Sequence, residues 1–366
     1  MRLNRSELEK MNIEHPTSNI QFSMRGKGGR ILFNIRCSML NVRCFFSLLC
    51  ALCVLCGLAC SSGAAEKATI VLNWVPEPEF GGIYAARESG AFARHDLDVS
   101  IKPGGAGAPT WQQVASGQAE FGVASADEVV IARASGADVV ALFAIYQTCP
   151  QGIMVHKSRG LKSIDEVFTS PGGTLAMEIG LPYGKFLEKK YGFEKIKRIP
   201  YDGGIGNFLA DKSFMQQCFV FSEPLIARKQ GADPQTFLIA DAGYNPYTGV
   251  IIASDSYARK KPKVIRDMDA ALREGWQAYL DDPKPANAVM GKINKTMDQE
   301  TFAAVAEAQK PLIENEQTKV DGLGAMLPQR WEELIKQLVD IGVVEPAKAP
   351  SARQCFISPS LLDAKP

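Results

Sequence analysis

The sequence predicts an α/β fold of two similar lobes, and three observations predict it. Residues 69–102 read as strand, helix, strand. Two later segments, each ending in an apolar strand followed by a serine and an acid, repeat one plan. The chain, at 366 residues and 46% hydrophobic, is long enough for two real cores.

The first unit sets the plan that the later segments follow. Residues 69–72 form a short apolar run that reads as a buried strand, and Asn73 and Trp74 end it. A loop with Pro76 and Pro78 follows. Residues 82–89 read as a helix, with Gly90 placed to stop it. Residues 99–102 return as a strand that runs into Pro103 and the glycines of 104–107. In an open sheet of this kind ligands bind beyond the carboxyl ends of the strands. Asn73, Trp74 and the glycines fall at that edge.

Further strands are expected at 121–124, 139–145 and 153–155, with helices at 108–116 and 128–134. Pro109 suits a first helical turn. A second group follows: strand 174–177, helix 182–190, strand 196–200, a glycine loop from 203 entering a helix, and strand 218–221. VASGQAEFGVASADEVVIAR meets Ser125 and Asp127 where FLADKSFMQQCFVFSEPLIARK meets Ser222 and Glu223. The repeat is one of architecture rather than of sequence. Val264, Met268, Ala271, Leu272, Tyr279 and Leu280 then follow helical spacing. Trp331, Leu334, Ile335 and Leu338 stripe a last helix between Pro328 and Gly342. The Pro- and Ala-rich tail from Glu345 is expected on the surface. The resulting division is 1–65 as an N-terminal extension and signal peptide, 66–154 as the first part of lobe I, 155–250 as lobe II, 251–344 as the helical second part of lobe I, and 345–366 as a tail.

Charge and composition exclude several classes. The formal charge is +1, with no basic stripe, which argues against nucleic acid as a partner. Nothing in the body is long and apolar enough to span a bilayer. The first 65 residues differ in kind. Residues 1–38 are polar or basic without sustained periodicity. Residues 45–59, preceded by Arg43, have the length of a signal-peptide core. Gly63, Ala64 and Ala65 offer a cleavage site, and Leu58-Ala59-Cys60 a rougher lipoprotein site at Cys60. Met24 or Met39 would make a more ordinary start than Met1. The protein is therefore expected on the extracytoplasmic side, periplasmic or lipid-anchored, as a monomer.

Of nine cysteines, six lie in this leader: Cys37, Cys44, Cys50, Cys53, Cys56 and Cys60. The CxxCxxC at Cys50, Cys53 and Cys56 sits inside the apolar core with no histidine nearby, so it reads as small apolar residues rather than a metal site. Cys149, Cys218 and Cys355 form no disulfide framework, with one bridge among them left open. His95 and His156 are isolated. No metal-ligand spacing, catalytic triad order or cofactor motif emerges.

LNWVPEPEFGGIYAARESGAF, DLDVSIKPGG, VASGQAEFGVASADEV, QGIMVHKSRGLKSIDEV and the Ser-Glu-Pro of FVFSEP resemble the periplasmic solute-binding proteins of importers for pyrimidine precursors, sulfonates and nitrate. The resemblance spans about residues 69–343, through motifs that are loose singly but specific in order and spacing. It implies a type II periplasmic-binding-protein fold, with crossing strands near 152–157 and 249–253, and a small ligand held between lobes and handed to an ABC transporter permease in the membrane. The related pyrimidine-precursor synthases carry a cofactor-binding lysine and a histidine where this sequence has Ala124 and Glu128, and a cysteine-rich run that it lacks. The resemblance therefore implies fold and binding, with no cofactor and no enzymatic step.

The candidate ligand-binding residues each have a plainer reading beside them. Trp74 can stack a planar ligand or pack in a core. Asn73 can meet a ligand edge or cap a turn. Tyr84 can reach the cleft or pack on the sheet. Ser125 with Asp127, and Ser222 with Glu223, stand where the lobes would meet; Asp127 is equally a natural N-cap. Glu178 and Asp202 precede helix starts and can serve the helix or the ligand. Tyr146 and Gln147 lie near the expected hinge. The glycine loops can cradle an anion through backbone N–H groups or be plain turns. Acids and aromatics at the cleft favour a planar, nitrogen-bearing ligand such as a pyrimidine or thiamine precursor. A sulfonate or nitrate is the alternative.

Overall fold

The computed structural model describes residues 20–26, 29–35, 64–105 and 107–359. The expected signal-peptide core and Cys60 lie outside the described residues. The chain divides into two compact units, Met1–Ala64 and Ala65–Pro366. In the first, β1 (Ile20–Gly26) and β2 (Gly29–Ile35) pair antiparallel, Ile20 opposite Ile35 and Gly26 opposite Gly29. This corrects the expectation of no periodicity before residue 38. The alternation Ile20, Phe22, Met24 and Ile31, Phe33, Ile35 has the period of a strand, but the basic residues between mask it.

The second unit holds two five-stranded sheets. One has the order β4-β3-β5-β12-β6, formed by β3 (Glu66–Val71), β4 (Leu97–Lys102), β5 (Phe121–Ala124), β6 (Val140–Tyr146) and β12 (Thr248–Ala253). The other has the order β9-β8-β10-β7-β11, from β7 (Gln151–His156), β8 (Thr174–Met177), β9 (Lys197–Pro200), β10 (Phe214–Phe219) and β11 (Pro234–Leu238). In each sheet one strand runs against its neighbours: β12 in the first, β7 in the second. Each of these strands comes from the chain segment that has just crossed over. Position for position the sheets share one plan, which is the architectural repeat the sequence announced.

The reasons are local. β5 and β6 are buried at every residue, as strands covered on both faces must be, so they read as unbroken apolar runs. The helix Gly81–Glu88 ends before Gly90, which takes the left-handed φ of 76°. It packs on the long helix Pro262–Asp281 so closely that a Cβ at Gly275 would lie 2.3 Å from the Gly82 carbonyl oxygen. Only glycine permits that approach. The core of the first lobe gathers Ile70, Phe121, Phe143, Ile251, Leu272, Trp276 and Phe302.

Two expectations are corrected, and one strand is new. The strand expected at 218–221 runs from Phe214 to Phe219; the buried Gln216 and Gln217 hide its start, and the apolar Val220 and Phe221 continue past its end. β11 had no sequence reading of its own. The tail is not merely superficial: Cys355 is fully buried, Phe356 stacks on Trp331 at 5.7 Å, and the Ile357 N–H donates to the Ala141 carbonyl. Cys149, Cys218 and Cys355 are free and buried. Among the described residues no helix is long and apolar enough to cross a membrane.

Candidate functional site

The carboxyl ends of the parallel strands in both sheets carry nearly all the sequence-selected residues. Asn73 and Trp74 follow β3, Ser125 and Asp127 follow β5, Tyr146 ends β6 and Gln147 follows it. In the second sheet Glu178 follows β8, Asp202 follows β9, and Ser222 and Glu223 follow β10. The two edges meet. The Tyr146 ring stacks on Phe221 at 5.4 Å, and Phe221 is buried in the core of the first lobe.

The loop after β3 is built by two prolines and two glutamates in alternation, Pro76-Glu77-Pro78-Glu79. A proline cannot donate from its nitrogen but keeps a carbonyl acceptor. Here both proline carbonyls are pinned from the C-terminal helices: Asn294 Nδ2 donates to Pro76 at 3.2 Å, and Gln309 Nε2 to Pro78 at 2.9 Å. Gln309 also accepts from the Tyr146 hydroxyl at 2.5 Å. The loop is thereby held to the end of β6. Gly104 closes its base, its N–H donating to the Trp74 carbonyl at 3.0 Å. A Cβ there would sit 2.0 Å from the Leu72 oxygen.

This anchoring sets out an acidic wall. Glu77 and Glu79 are half-buried. Burial raises the Glu77 carboxyl to about 7, the Glu223 charge adds to the rise, and the Trp74 indole N–H opposes it by hydrogen bonding. Glu79 is raised by burial, then by Glu77 and Glu223. Glu223, from the other lobe, is raised by burial and restrained by hydrogen bonds from the Phe219 N–H at 2.9 Å and the Tyr201 hydroxyl at 3.4 Å. Glu223 is thus the charge that acts on Glu77, and Glu77 and Glu223 are the charges that act on Glu79. Trp74 remains 40% exposed beside them, an uncommon state for an indole at the end of a buried strand.

The other sequence-selected residues are placed as follows. Ser125, not Asp127, is the N-cap of the helix Ala126–Ala134. The Ser125 hydroxyl bonds Asp127, and its N–H donates to Glu128 at 2.8 Å. The second Asp127 oxygen accepts from the Tyr244 hydroxyl at 3.0 Å. Glu178 is exposed; its N–H donates to Gln217 Oε1, which also takes the Tyr183 hydroxyl at 2.7 Å. Asp202 braces its own loop through the Gly204 N–H and Asn207. Ser222 is buried at the start of the helix Glu223–Lys229. Gln147 gives its amide to the carbonyls of Ala144 and Ala325. Tyr84 is buried in the first core under Arg87, while the Asn73 side-chain oxygen is buried without a hydrogen-bond partner among the described residues.

Sequence reasoning missed Glu77, Glu79 and Tyr201. The signal for the first two was present in the Pro-Glu-Pro-Glu alternation directly after Trp74. It reads as an ordinary solvated loop until the C-terminal helices close over the proline carbonyls.

A family model described as NMT1/THI5 like matches residues 77–286, more than half of the chain, and the chain belongs to this family. The formylaminopyrimidine-binding protein of Halalkalibacterium halodurans is 21% identical over 75% of this chain and 85% of its own length. The riboflavin-binding protein RibY of Chloroflexus aurantiacus is 23% identical over 73% of this chain and 78% of its own. The family also reaches enzymes: the 4-amino-5-hydroxymethyl-2-methylpyrimidine phosphate synthase THI11 of Saccharomyces cerevisiae is 25% identical over 61% of this chain and 70% of its own. Among solved structures, the periplasmic aliphatic sulphonate binding protein SsuA of Escherichia coli superposes with a TM-score of 0.59 at 16% identity, covering 80% of this chain and 92% of its own. At that identity the match establishes the fold, which is the periplasmic binding protein fold.

Proposed function

We propose that this chain is the solute-binding component of an ABC importer. It captures a small, planar, nitrogen-containing solute of the pyrimidine or thiamine-precursor type between its lobes and hands it to a membrane permease. The observation that carries this reading is the 40% exposed Trp74 indole just beyond β3, followed in the same loop by Glu77 and Glu79, on both of which Glu223 of the other lobe acts. The indole face is a platform for a flat ring. The carboxylates accept from ring N–H and amino groups at its edge. Closure follows from contacts to both lobes, since a ligand shifts a conformational equilibrium only through its differential affinity.

A sulfonate or nitrate suits this cleft less. In each of the two glycine loops that could have cradled an anion one N–H is already taken: the Gly104 N–H donates to Trp74 and the Gly204 N–H to Asp202. A catalytic reading is weakened by Ala124, which is buried, and by Glu128, which is tied to the Ser125 N–H. These stand where the resembling synthases carry a lysine and a histidine. The relatives' binding roles support the binder, and we place the protein outside the cytoplasmic membrane, as a monomer.

The test is a thermal-shift screen of residues 65–366 against formylaminopyrimidine, riboflavin, 4-amino-5-hydroxymethyl-2-methylpyrimidine and an alkanesulfonate. A ligand at about 100 times its Kd adds roughly 2.7 kcal/mol of stability. A pyrimidine is expected to give the largest shift, and Trp74→Ala and Glu223→Gln each to abolish it. Undiminished shifts in both variants, or a response to the sulfonate alone, would sink the proposal. A stable Schiff-base absorbance with pyridoxal phosphate would restore the enzyme.

A further inference from the structure

We propose that Ile179 is the apolar wall covering the second face of the bound ring, opposite Trp74, and so a specificity-determining residue. The inference rests on the reading of the cleft as a site for a planar solute, and deepens it.

Four large hydrophobic side chains stand exposed among the described residues: Trp74, Ile179, Ile293 and Val320. Two of them occupy matching places. In the orders β4-β3-β5-β12-β6 and β9-β8-β10-β7-β11, β8 takes the position of β3. Trp74 lies just beyond the carboxyl end of β3, and Ile179 just beyond that of β8. Ile179 is 81% exposed, a state in which its apolar surface contributes nothing to the fold.

The loop that presents Ile179 is braced from beneath. The Glu178 N–H donates to Gln217 Oε1 at 2.6 Å, and the Gly184 N–H donates to the Leu181 carbonyl at 3.1 Å. Between them Gly180 adopts a φ of 93°, which turns the chain back toward Pro182, the first residue of the helix Pro182–Tyr191. A braced loop with an apolar tip holds that tip ready for a partner. The loop lies at the carboxyl edge of its sheet, the edge that meets the first sheet where Tyr146 stacks on Phe221 at 5.4 Å, and Glu178 is among the charges that act on Glu128 beyond β5. An indole on one side and a branched aliphatic on the other form a slot for a flat ring, whose polar edge is left to the carboxylates.

Two measurements on residues 65–366, a compact unit that contains both sheets and their cores, test the assignment. The first needs no ligand. The Trp74→Cys/Ile179→Cys double variant, treated with a rigid phenylene bismaleimide, is expected to gain a single bridging adduct by mass. The three native cysteines of this unit are buried and serve as internal controls. Two separate adducts with no bridge would overturn the proposal. In the second, binding of 4-amino-5-hydroxymethyl-2-methylpyrimidine is titrated by calorimetry. Ile179→Ala is expected to weaken it about tenfold, Ile179→Asn further, and Ile179→Met little. If Trp74→Ala destroys binding while Ile179→Ala leaves it intact, the wall is refuted and the cleft stands. If neither substitution matters, the cleft reading itself has failed.

Discussion

Arg330 and the two glutamates of the acidic loop after β3 are half-buried, and their charges are treated in opposite ways. Arg330, in the first turn of the helix Pro328–Asp340, sends its guanidinium between the two crossing segments. It donates to the carbonyls of Gln147, Asn245 (2.8 Å) and Pro246 (3.2 Å) and to the Asn245 side-chain oxygen (2.9 Å), and it lies 4.0 Å from the centre of the Tyr247 ring. Asn245 in turn accepts from the Cys149 N–H at 2.8 Å. No carboxylate is among these partners, yet the cation is satisfied by dipoles from both crossovers. Glu77 and Glu79 have the reverse arrangement: burial raises both, and the charges that act on them are carboxylates, Glu223 on Glu77 and both Glu77 and Glu223 on Glu79. On the proposed function, the difference separates a structural charge from a functional one: the crossovers complete their own electrostatics, whereas the acidic loop leaves a deficit that a solute would fill.

The largest expected effect would break the first half of that contrast. Arg330→Ala leaves several crossover carbonyls without their donor and should cost about 4 kcal/mol of stability in chemical denaturation. Arg330→Lys, which keeps the charge but not the planar fork, should recover less than half. A loss under about 1 kcal/mol would show that the crossovers hold without the guanidinium.

Glu77→Gln addresses the other half. The folded carboxyl titrates near 7 against an ordinary value of 4.5. The folded state therefore binds this proton more tightly than the unfolded chain does. Its contribution is fully present below pH 4.5 and is lost as pH rises through about 7. The difference amounts to about 3 kcal/mol at most. Stability of the unliganded protein, followed by denaturation between pH 4.5 and 8, should fall less steeply in Glu77→Gln than in the wild type. Parallel curves would mean that Glu77 is not strained by its surroundings.

Tyr146→Phe tests the link between the two regions, because the hydroxyl holds Gln309 and through it the Pro78 carbonyl. Loss of one buried hydrogen bond should cost about 1 kcal/mol and weaken solute binding by displacing the acidic loop. The smallest effect is expected from Lys229→Ala. Its exposed contacts to Asp298 and Glu300, at 2.6 and 2.9 Å, are of the surface kind that contributes little. No resolvable change in melting midpoint is expected, and any clear loss would promote that pair to a structural strut.

Much of this molecule was legible from residue order. β5, β8 and the helix Gly81–Glu88 follow from apolar runs, a proline or a stopping glycine, because those signals act over a few residues. β10 was displaced because two buried glutamines interrupt its pattern. Their burial is matched by partners: Gln217 accepts from the Glu178 N–H and the Tyr183 hydroxyl, and Gln216 donates to the Gly204 carbonyl at 3.2 Å. Trp74 and Glu223 were selected because each follows a strand. Glu77 and Glu79 escaped selection because their environment is made by Asn294 and Gln309, more than two hundred residues away.

By itself the sequence determined two α/β halves of one plan, the strand ends where a site must lie, and an indole and acids placed there. These depend on periodicity and local backbone preference, which neighbouring residues settle among themselves. Only the tertiary structure decided that Arg330 ties the crossovers and that Glu223 acts on Glu77 and Glu79 from the other lobe. Burial and charge proximity are properties of distance in space, and the chain order does not carry them.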